Sequence, residues 1–458
     1  MKFSRSEIHR KTYRIPSLRF EDQQLTSFSG LVLFQGLFAK LGLLDRLRQC
    51  FQHLGVTPIF GYAKCVLLLV VHLLLGYREL RDMRYYADDP LVKRVLGLSR
   101  LPDVATLSRA LAGADARSVE HLGAVLREMV LERLVVLSLE RITLDFDGSV
   151  IGTCRFAEGT AVGFNRRKKG QRSYYPLFCT VAQTGQVLAV LHRSGNVHDS
   201  NGAEAFIRDC LRQVRAALPG VIIEVRADSA FFSDAIVGLL QTEAVEYTLS
   251  VPFERWAELK QRIETRQRWW HLDDEQAYFE SQWKPKSWPS CHRFLFIRKA
   301  VRQQHKGPVQ LNLFIPYEYG YEFKVIITNK THEAAEVVAF HNGRGAQEGL
   351  FAELKSNNQL DYVPSRTWVG NQIYLLSTLL AHNLSRELQM IARPAPRRAL
   401  QKRPALWDFA RLNTLRCRLI QRAGRLIRPQ GRLTLSMSAN SAVQHELLHY
   451  LQALQKAA

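Results

Sequence analysis

Three acidic residues, Asp147, Asp228 and Glu348, stand in or beside segments that predict three different structural elements. The alternating segment 142–147 and the apolar run 221–225 both predict strands, and α/β proteins place functional groups at the C-terminal ends of such strands. Carboxylates that converge in space can hold Mg²⁺, which takes oxygen ligands, and two such ions can promote cleavage of a phosphodiester. Taken alone, Asp228 is just as typical of a helix N-cap.

The third acid belongs to a longer pattern on a predicted helix. His341, Arg344, Glu348 and Lys355 are separated by two, three and six residues. On one continuous helix these positions share a face, which would join one acid to three groups able to contact phosphate. A solvated Arg–Glu pair four residues apart, worth roughly a few tenths of a kcal/mol, is the alternative. The spacing and the two upstream aspartates together favour the functional interpretation.

The charge of the chain favours a polyanionic partner. Its 458 residues include 63 Lys and Arg against 42 Asp and Glu, a formal net charge of +21. Such an excess promotes nucleic-acid binding through phosphate neutralisation and counterion release. A basic loop at 164–175, beside the first aspartate, is flanked by aromatic residues and predicts contacts with the DNA backbone. Its predicted DNA contacts are Arg166, Arg167, Lys168, Lys169 and Arg172.

A second basic region lies near the C-terminus. Residues 391–435 contain twelve Lys and Arg and one acidic residue. Arg416, Arg418, Arg422 and Arg425 are spaced along a predicted helix, and we expect Arg416 and Arg422 to contact DNA. A run of charge is also typical of a solvated surface.

Hydrophobic periodicity predicts an α/β fold, in which a mixed sheet flanked by helices is interrupted by a β-rich insertion. The insertion holds five of the seven tryptophans. The predicted regions are a helical N-terminal DNA-binding domain (1–135), a catalytic core in two parts (136–254 and 323–390, the second with the Glu348 helix), the β-rich insertion (255–322) and a basic helical C-terminal region (391–458).

One short helix in the N-terminal region is a candidate for DNA contact. Asp103 can cap a helix that presents Thr106, Ser108 and Arg109, which is compatible with insertion into a DNA groove. An ordinary packing helix with a normal cap is the alternative, and the sequence leaves both open.

Composition argues against several other classes of protein. Seven scattered cysteines without a CxxC pair predict neither a disulfide framework nor a zinc site, and they fit a reducing cytosol. The longest apolar run, 66–75, is about half the length that a membrane span needs, and no secretory leader is apparent. We therefore expect a cytoplasmic protein that does not enter a membrane.

These residues resemble the DDE transposases of bacterial insertion sequences, whose catalytic core is RNase H-like. Asp147 stands in the segment Leu-Asp-Phe-Asp-Gly-Ser, Asp228 in Arg-Ala-Asp-Ser, and Glu348 in the helix signature. Arg344 and Lys355 match that signature, whereas His341 replaces a tyrosine. The resemblance extends from about residue 100 to residue 435 and includes a β-rich insertion between the second Asp and the Glu.

The resemblance implies cut-and-paste transposition with two Mg²⁺ or Mn²⁺ ions held by Asp147, Asp228 and Glu348. Water would cut the DNA at the element end, and the freed 3′-hydroxyl would then attack the target strand. The implied partners are the terminal inverted repeats and target DNA, bound by a homodimer at the bacterial nucleoid. A nuclease that does not join strands and an inactive DNA-binding relative remain as alternatives.

Two acidic neighbours compete with these assignments. Asp145 lies on the same strand face as Asp147 and is the reserve for the first metal ligand, but Ser149 after Asp147 matches the family pattern better. Glu353, five residues after Glu348, points elsewhere around the helix and is expected to be an ordinary surface acid.

Overall fold

The computed structural model describes residues 15–55, 59–163, 165, 168–198, 200–300, 320–395 and 405–456. The predicted DNA contacts Arg166 and Arg167, and a strand predicted near 311–315, lie outside the described residues. Strands account for most of the middle of the chain. In chain order they are β1 (Leu25–Thr26), β2 (Arg141–Gly148), β3 (Ile151–Gly152), β4 (Ala161–Val162), β5 (Arg172–Tyr174), β6 (Leu177–Val181), β7 (Gln186–Leu191), β8 (Ile222–Ala227), β9 (Glu246–Val251), β10 (Trp270–His271), β11 (Gln276–Trp283), β12 (His292–Ala300), β13 (Tyr321–Thr328), β14 (Gly424–Ile427) and β15 (Thr434–Met437).

Helices dominate both ends of the chain and connect the strands of the core. They are α1 (Leu31–Lys40), α2 (Leu43–Phe51), α3 (Tyr62–Leu75), α4 (Pro90–Leu96), α5 (Val104–Ala112), α6 (Ala116–Leu137), α7 (Ala203–Ala217), α8 (Asp234–Thr242), α9 (Ala257–Glu264), α10 (Ala334–Asn342), α11 (Gly345–Asn357), α12 (Trp368–Ala392), α13 (Leu412–Leu415) and α14 (Ser441–Lys456). Within the described part of the chain, none of them is both long and apolar enough to cross a membrane.

Five strands form one end of a nine-stranded sheet, in which β7 is the edge strand. In space they follow the order β7-β6-β2-β8-β9. β2 runs parallel to β8, and β8 runs parallel to β9, whereas β6 and β7 pair in antiparallel fashion. Numbered along the chain, these strands lie in the order 3-2-1-4-5, which is the arrangement of an RNase H-like core. The predicted fold class is therefore confirmed.

The segment predicted as a β-rich insertion continues the same sheet. β13 pairs with β9, and β12, β11 and β10 follow outward in antiparallel order. The stretch from Phe294 to Ile297 is buried throughout, because alternate side chains face hydrophobic clusters on the two sides of the sheet. Of the predicted core tryptophans here, Trp283 and Trp288 are buried, whereas Trp270 on the edge strand β10 is exposed.

The long helix α12 is the centre of the helical part. Its side chains are buried almost from end to end, and it packs against α3, α6 and α14 as well as β7. Residues 380–388 of this helix are all buried. The N-terminal helices and α12 share one hydrophobic cluster, which also reaches Phe178 and Val187 on the sheet.

The basic C-terminal region differs from the predicted helix. α13 ends at Leu415, residues Arg416–Ile420 form a single π-helical turn, and Arg425 lies in β14 opposite Leu25. Gly424 permits this pairing, because a Cβ there would lie 2.2 Å from the Ser29 hydroxyl. The contact is made with a segment almost 400 residues away, so local periodicity does not reveal it.

Candidate active site

The three predicted acids line one open cleft of about 1340 Å³. Asp147 is near the end of β2, and Asp228 follows β8 directly. These neighbouring strands are parallel, so their C-terminal ends meet at the same edge of the sheet. Glu348 approaches this edge from the first turn of α11. The fold thus brings together three carboxylates that are 81 and 120 residues apart along the chain.

Asp147 is held by a cation within the protein. Its Oδ2 lies 3.2 Å from Nη1 of Arg344, and its Oδ1 accepts a hydrogen bond of 2.7 Å from the backbone N–H of Gly148. The two side chains of the ion pair are only 18% and 19% exposed, so water screens the pair weakly.

Asp228 serves as a cap and lines the cleft as well. Its Oδ1 accepts a 2.9 Å hydrogen bond from the N–H of Ala230, which caps the short 3₁₀ turn Ser229–Phe231. Both interpretations of this residue are therefore compatible with its geometry. The cap orients the carboxyl group at the end of β8.

Asp145, the reserve ligand, has a structural partner instead. Its two carboxylate oxygens accept hydrogen bonds of 2.6 and 2.8 Å from Arg226, the residue opposite it on β8. Asp145 is 2% exposed and Arg226 is fully buried. Asp145 is absent from the cleft lining, so a first-ligand role for it finds no support here.

The helix signature is interrupted, contrary to the prediction of one continuous face. α10 ends at Asn342 and α11 begins at Gly345, with Arg344 at the junction. His341 is 1% exposed, and its ring nitrogens are 3.0 Å from the Thr248 hydroxyl and 2.9 Å from the Ser250 hydroxyl. The structure thus contradicts the predicted DNA contact of His341. This side chain instead ties α10 to β9.

The ionisation of His341 agrees with this structural role. Burial holds its pKa well below the usual range, and the positive charges of Lys324, Arg344 and Arg226 lower it further. The ring is therefore neutral and does not supply a cation for phosphate. Burial, with Arg344 nearby, also lowers the pKa of Lys324 to about 8.

Glu353 is a buried acid and not the surface acid that was expected. It is 5% exposed, forms a close ion pair with Arg386, and accepts a 3.1 Å hydrogen bond from the backbone N–H of Leu412. Its partners connect α11 with α12 and α13, so its role is to hold the helices together.

The side chains that line the cleft are suitable ligands for Mg²⁺. Its three acids offer hard oxygen donors, which Mg²⁺ and Mn²⁺ prefer. Among the described residues, however, no three acidic, His or Cys side chains are already close enough together to hold one ion. One of the three acids, Asp147, is paired with Arg344 in this structure.

Comparison with known proteins decides the family. Residues 9–458 match the family described as transposase DDE domain, group 1. The chain belongs to this transposase family. No protein of curated function matches the sequence. Among solved structures, it is similar to a piggyBac transposase synaptic complex with hairpin DNA (10% identity, TM-score 0.40, 86% of this chain and 80% of that chain). A Mos1 mariner paired-end complex with Mn is a weaker match (12% identity, TM-score 0.17, 36% and 56%).

Cations from distant parts of the transposase surround the acids. Two of the predicted DNA contacts, Lys168 from the basic loop and Lys355 from α11, line the cleft. Lys169, next to Lys168 in the chain, is exposed. Arg78, Arg155 and Arg255 also line it but were missed, because none of them lies in a basic run as dense as that of the loop 164–175. Arg78 is held there by Asp361, at 2.6 and 3.0 Å.

Three further predicted DNA contacts have partners within the transposase. Arg172 donates a 3.0 Å hydrogen bond to the Thr160 hydroxyl. Arg422 is partly exposed and donates to the carbonyls of Arg418 and Cys417. Arg416 is 5% exposed, and its DNA contact is contradicted by this burial.

Arg416 stabilises helix ends instead of contacting DNA. Its guanidinium donates to the carbonyls of Leu73 and Leu74 at the end of α3 and to that of Asn357 at the end of α11. Burial lowers the pKa of Arg416 to about 10, which leaves it charged at neutral pH. Carbonyls at the ends of two helices thus gain a side-chain donor.

Proposed function

We propose that this transposase moves a bacterial insertion sequence by a cut-and-paste reaction on DNA. The observation that carries the proposal is the meeting of Asp147, Asp228 and Glu348 in one cation-rimmed cleft. Family membership supports the reaction class. The rim supports a DNA substrate, since arginine and lysine neutralise phosphates.

Asp147, Asp228 and Glu348 are the proposed ligands of two Mg²⁺ or Mn²⁺ ions. When bound, such ions activate the attacking oxygen and stabilise the leaving oxygen of a phosphodiester displacement. The chain's own contribution is to position groups. The cap at Ala230 orients Asp228, the Gly148 N–H orients Asp147, and Lys355 supplies positive charge toward a phosphate in the cleft.

The proposed reaction has two steps, and each of them breaks a phosphodiester bond. In the first, water attacks the phosphorus at the element end, the bond to the 3′-oxygen breaks, and a 3′-hydroxyl and a 5′-phosphate result. In the second, that 3′-hydroxyl attacks a phosphodiester of the target, forms a new P–O bond and displaces the target's own 3′-oxygen. The terminal inverted repeats and the target DNA are the proposed partners, with a homodimer holding both ends at the nucleoid.

The test is an assay with a labelled element end and a supercoiled target plasmid in Mg²⁺. We expect cleavage at the end and joined product in the target. Asp228→Asn should abolish both while leaving end binding intact, whereas the control Asp209→Asn, on the outer surface of α7, should leave both unchanged. Cleavage that survives in Asp228→Asn would overturn the metal-site proposal.

The alternatives give different products in the same assay. A nuclease would cut the end without forming joined product, and an inactive DNA-binding relative would bind the end without cutting it.

A further inference from the structure

Phe156 is an exposed aromatic residue on a well-anchored loop beside the catalytic cleft. Its side chain is 71% exposed. The loop around it is held by hydrogen bonds from the Thr160 hydroxyl to the carbonyl of Ala157 (2.6 Å) and from the Tyr174 hydroxyl to the carbonyl of Glu158 (2.5 Å). The N–H of Glu158 donates to the carbonyl of Arg366 at 2.9 Å. The fold thus holds the backbone of the loop that carries this exposed ring.

The surroundings of Phe156 distinguish it from other exposed apolar residues, which are common on proteins. It borders a second cleft of about 700 Å³, within the size range of small-ligand sites. Arg155 and Val363 line both this cleft and the cleft of the three acids, so the two are contiguous. A group bound here would remain next to the reacting phosphate.

The lining of the second cleft combines three chemical features. Phe156 offers an aromatic surface, and the guanidinium of Arg172 lies 5.3 Å from its ring centroid. Arg155 and Arg366 supply positive charge. Polar side chains complete the wall; they are Ser108 of α5, Ser365 and Thr367.

A planar ring with polar edges, linked to an anionic backbone, matches this combination. We propose that the second cleft binds one unpaired nucleobase of the DNA strand that enters the catalytic cleft, stacked on Phe156, with Arg155 and Arg366 near its phosphate. This inference rests on the proposed function, because it takes DNA as the substrate. Stacking of bases on aromatic side chains is a general means of holding unpaired strands.

The test measures binding without catalysis, in buffer without divalent metal. Element-end duplexes carry one unpaired nucleotide at successive positions beside the cleavage site, and matched duplexes carry an abasic sugar at the same position. For wild type we expect binding to be roughly tenfold tighter with the base than without it at one position. Phe156→Ala should remove this difference, and Phe156→Trp should restore it.

A remote control separates stacking from general loss of exposed apolar surface. Val136, near the end of α6, is also 71% exposed, and Val136→Ala should keep the full preference for the base. Thermal unfolding of Phe156→Ala should match wild type, since little of the ring is buried.

Three results would overturn the inference. One is an equal preference for the base in wild type and Phe156→Ala, and another is the absence of a preference in wild type. The third is an equal loss of binding to fully paired and unpaired ends in Phe156→Ala, which would make Phe156 a wedge in duplex DNA. Failure of the proposed function looks different, because wild type would then not bind or not cut element ends at all.

Discussion

Arg344→Met is expected to tighten metal binding by the DNA-free protein while impairing catalysis. The guanidinium lies 3.2 Å from Asp147, and both side chains are less than one-fifth exposed. A divalent ion that takes Asp147 as a ligand must therefore compete with a cation already in place. Methionine retains much of the length of arginine without its charge, so this substitution removes the competitor.

The size of the effect follows from the geometry of the pair. Two unit charges about 4 Å apart attract by about 4 kcal/mol at an effective dielectric constant near 20. Desolvation of the pair offsets part of this attraction, so about 1–2 kcal/mol of net competition is a reasonable expectation. Because about 1.4 kcal/mol corresponds to a factor of ten, Mn²⁺ affinity should rise roughly five- to thirtyfold.

The assay is titration of the DNA-free protein with Mn²⁺, followed by calorimetry or by the electron paramagnetic resonance signal of free Mn²⁺. Arg344→Lys keeps the charge and should remain close to wild type. Arg215→Met removes an arginine of α7 that pairs with Glu243 at 2.8 Å and does not line the cleft, and it serves as the matched control. Unchanged or weaker Mn²⁺ binding in a folded Arg344→Met protein would refute the reasoning.

Cleavage by the same variant adds a second, independent readout. A metal held by Asp147 would displace Arg344, and the charge of Arg344 would then be available to a DNA phosphate. We therefore expect slower cleavage in Arg344→Met even at saturating Mn²⁺. Tighter metal binding together with slower cleavage would show that Arg344 both competes with metal for Asp147 and contributes to cleavage.

Three other predictions address stability and DNA binding. Asp145→Asn should lower the free energy of unfolding by about 3–5 kcal/mol, because it leaves buried Arg226 without its charge partner, and urea unfolding would measure this loss. Arg416→Met should reduce thermal stability but leave the salt dependence of end binding unchanged, whereas Lys355→Met should reduce that dependence by about one ion. Burial lowers the pKa of His382 to about 4, so below pH 6.5 the unfolded chain binds more protons than the folded chain. The free energy of unfolding should therefore fall by about 1.4 kcal/mol per pH unit as the pH drops from 6.5 to about 4. Urea unfolding at pH 7 and pH 5 should show that His382→Gln removes this contribution.

The sequence predicted the parts of the fold that depend on local pattern. Alternation predicted β2, and the apolar run predicted β8. Two parallel strands that end in aspartate place both acids at one sheet edge, so their meeting was accessible from sequence as well. The roles of Asp147, Asp228 and Glu348 as metal ligands stay predictions.

Other features depend on register and distant contacts, which no local pattern contains. Asp145 and Asp147 share a strand face, and only the register that sets Asp145 opposite Arg226 separates them. Arg416 looked like one of several basic residues, yet its guanidinium meets carbonyls more than 300 residues away in α3. Arg78 reaches the cleft from the N-terminal helical region by the same kind of long-range contact.

The break in the helix signature has a structural cause that also explains the placement of Arg344. Gly343 sits where a Cβ would lie 2.3 Å from Nη1 of Arg226, and this nitrogen donates a 2.9 Å hydrogen bond to the carbonyl of Phe340. The buried Asp145–Arg226 pair on the sheet is thereby connected to the end of α10. His341 fixes the same helix end to β9, so Arg344 is held from two sides.

The residues of the helix signature therefore have two different roles. His341, on the sheet side of the break, positions the backbone and is neutral and buried. Glu348 and Lys355, beyond the break, face the cleft. Arg344 lies at the junction, where the buried ion pair and the helix end together set its reach to Asp147. His341 bonds to β9 through both ring nitrogens, and the charge that acts on Asp147 comes from Arg344.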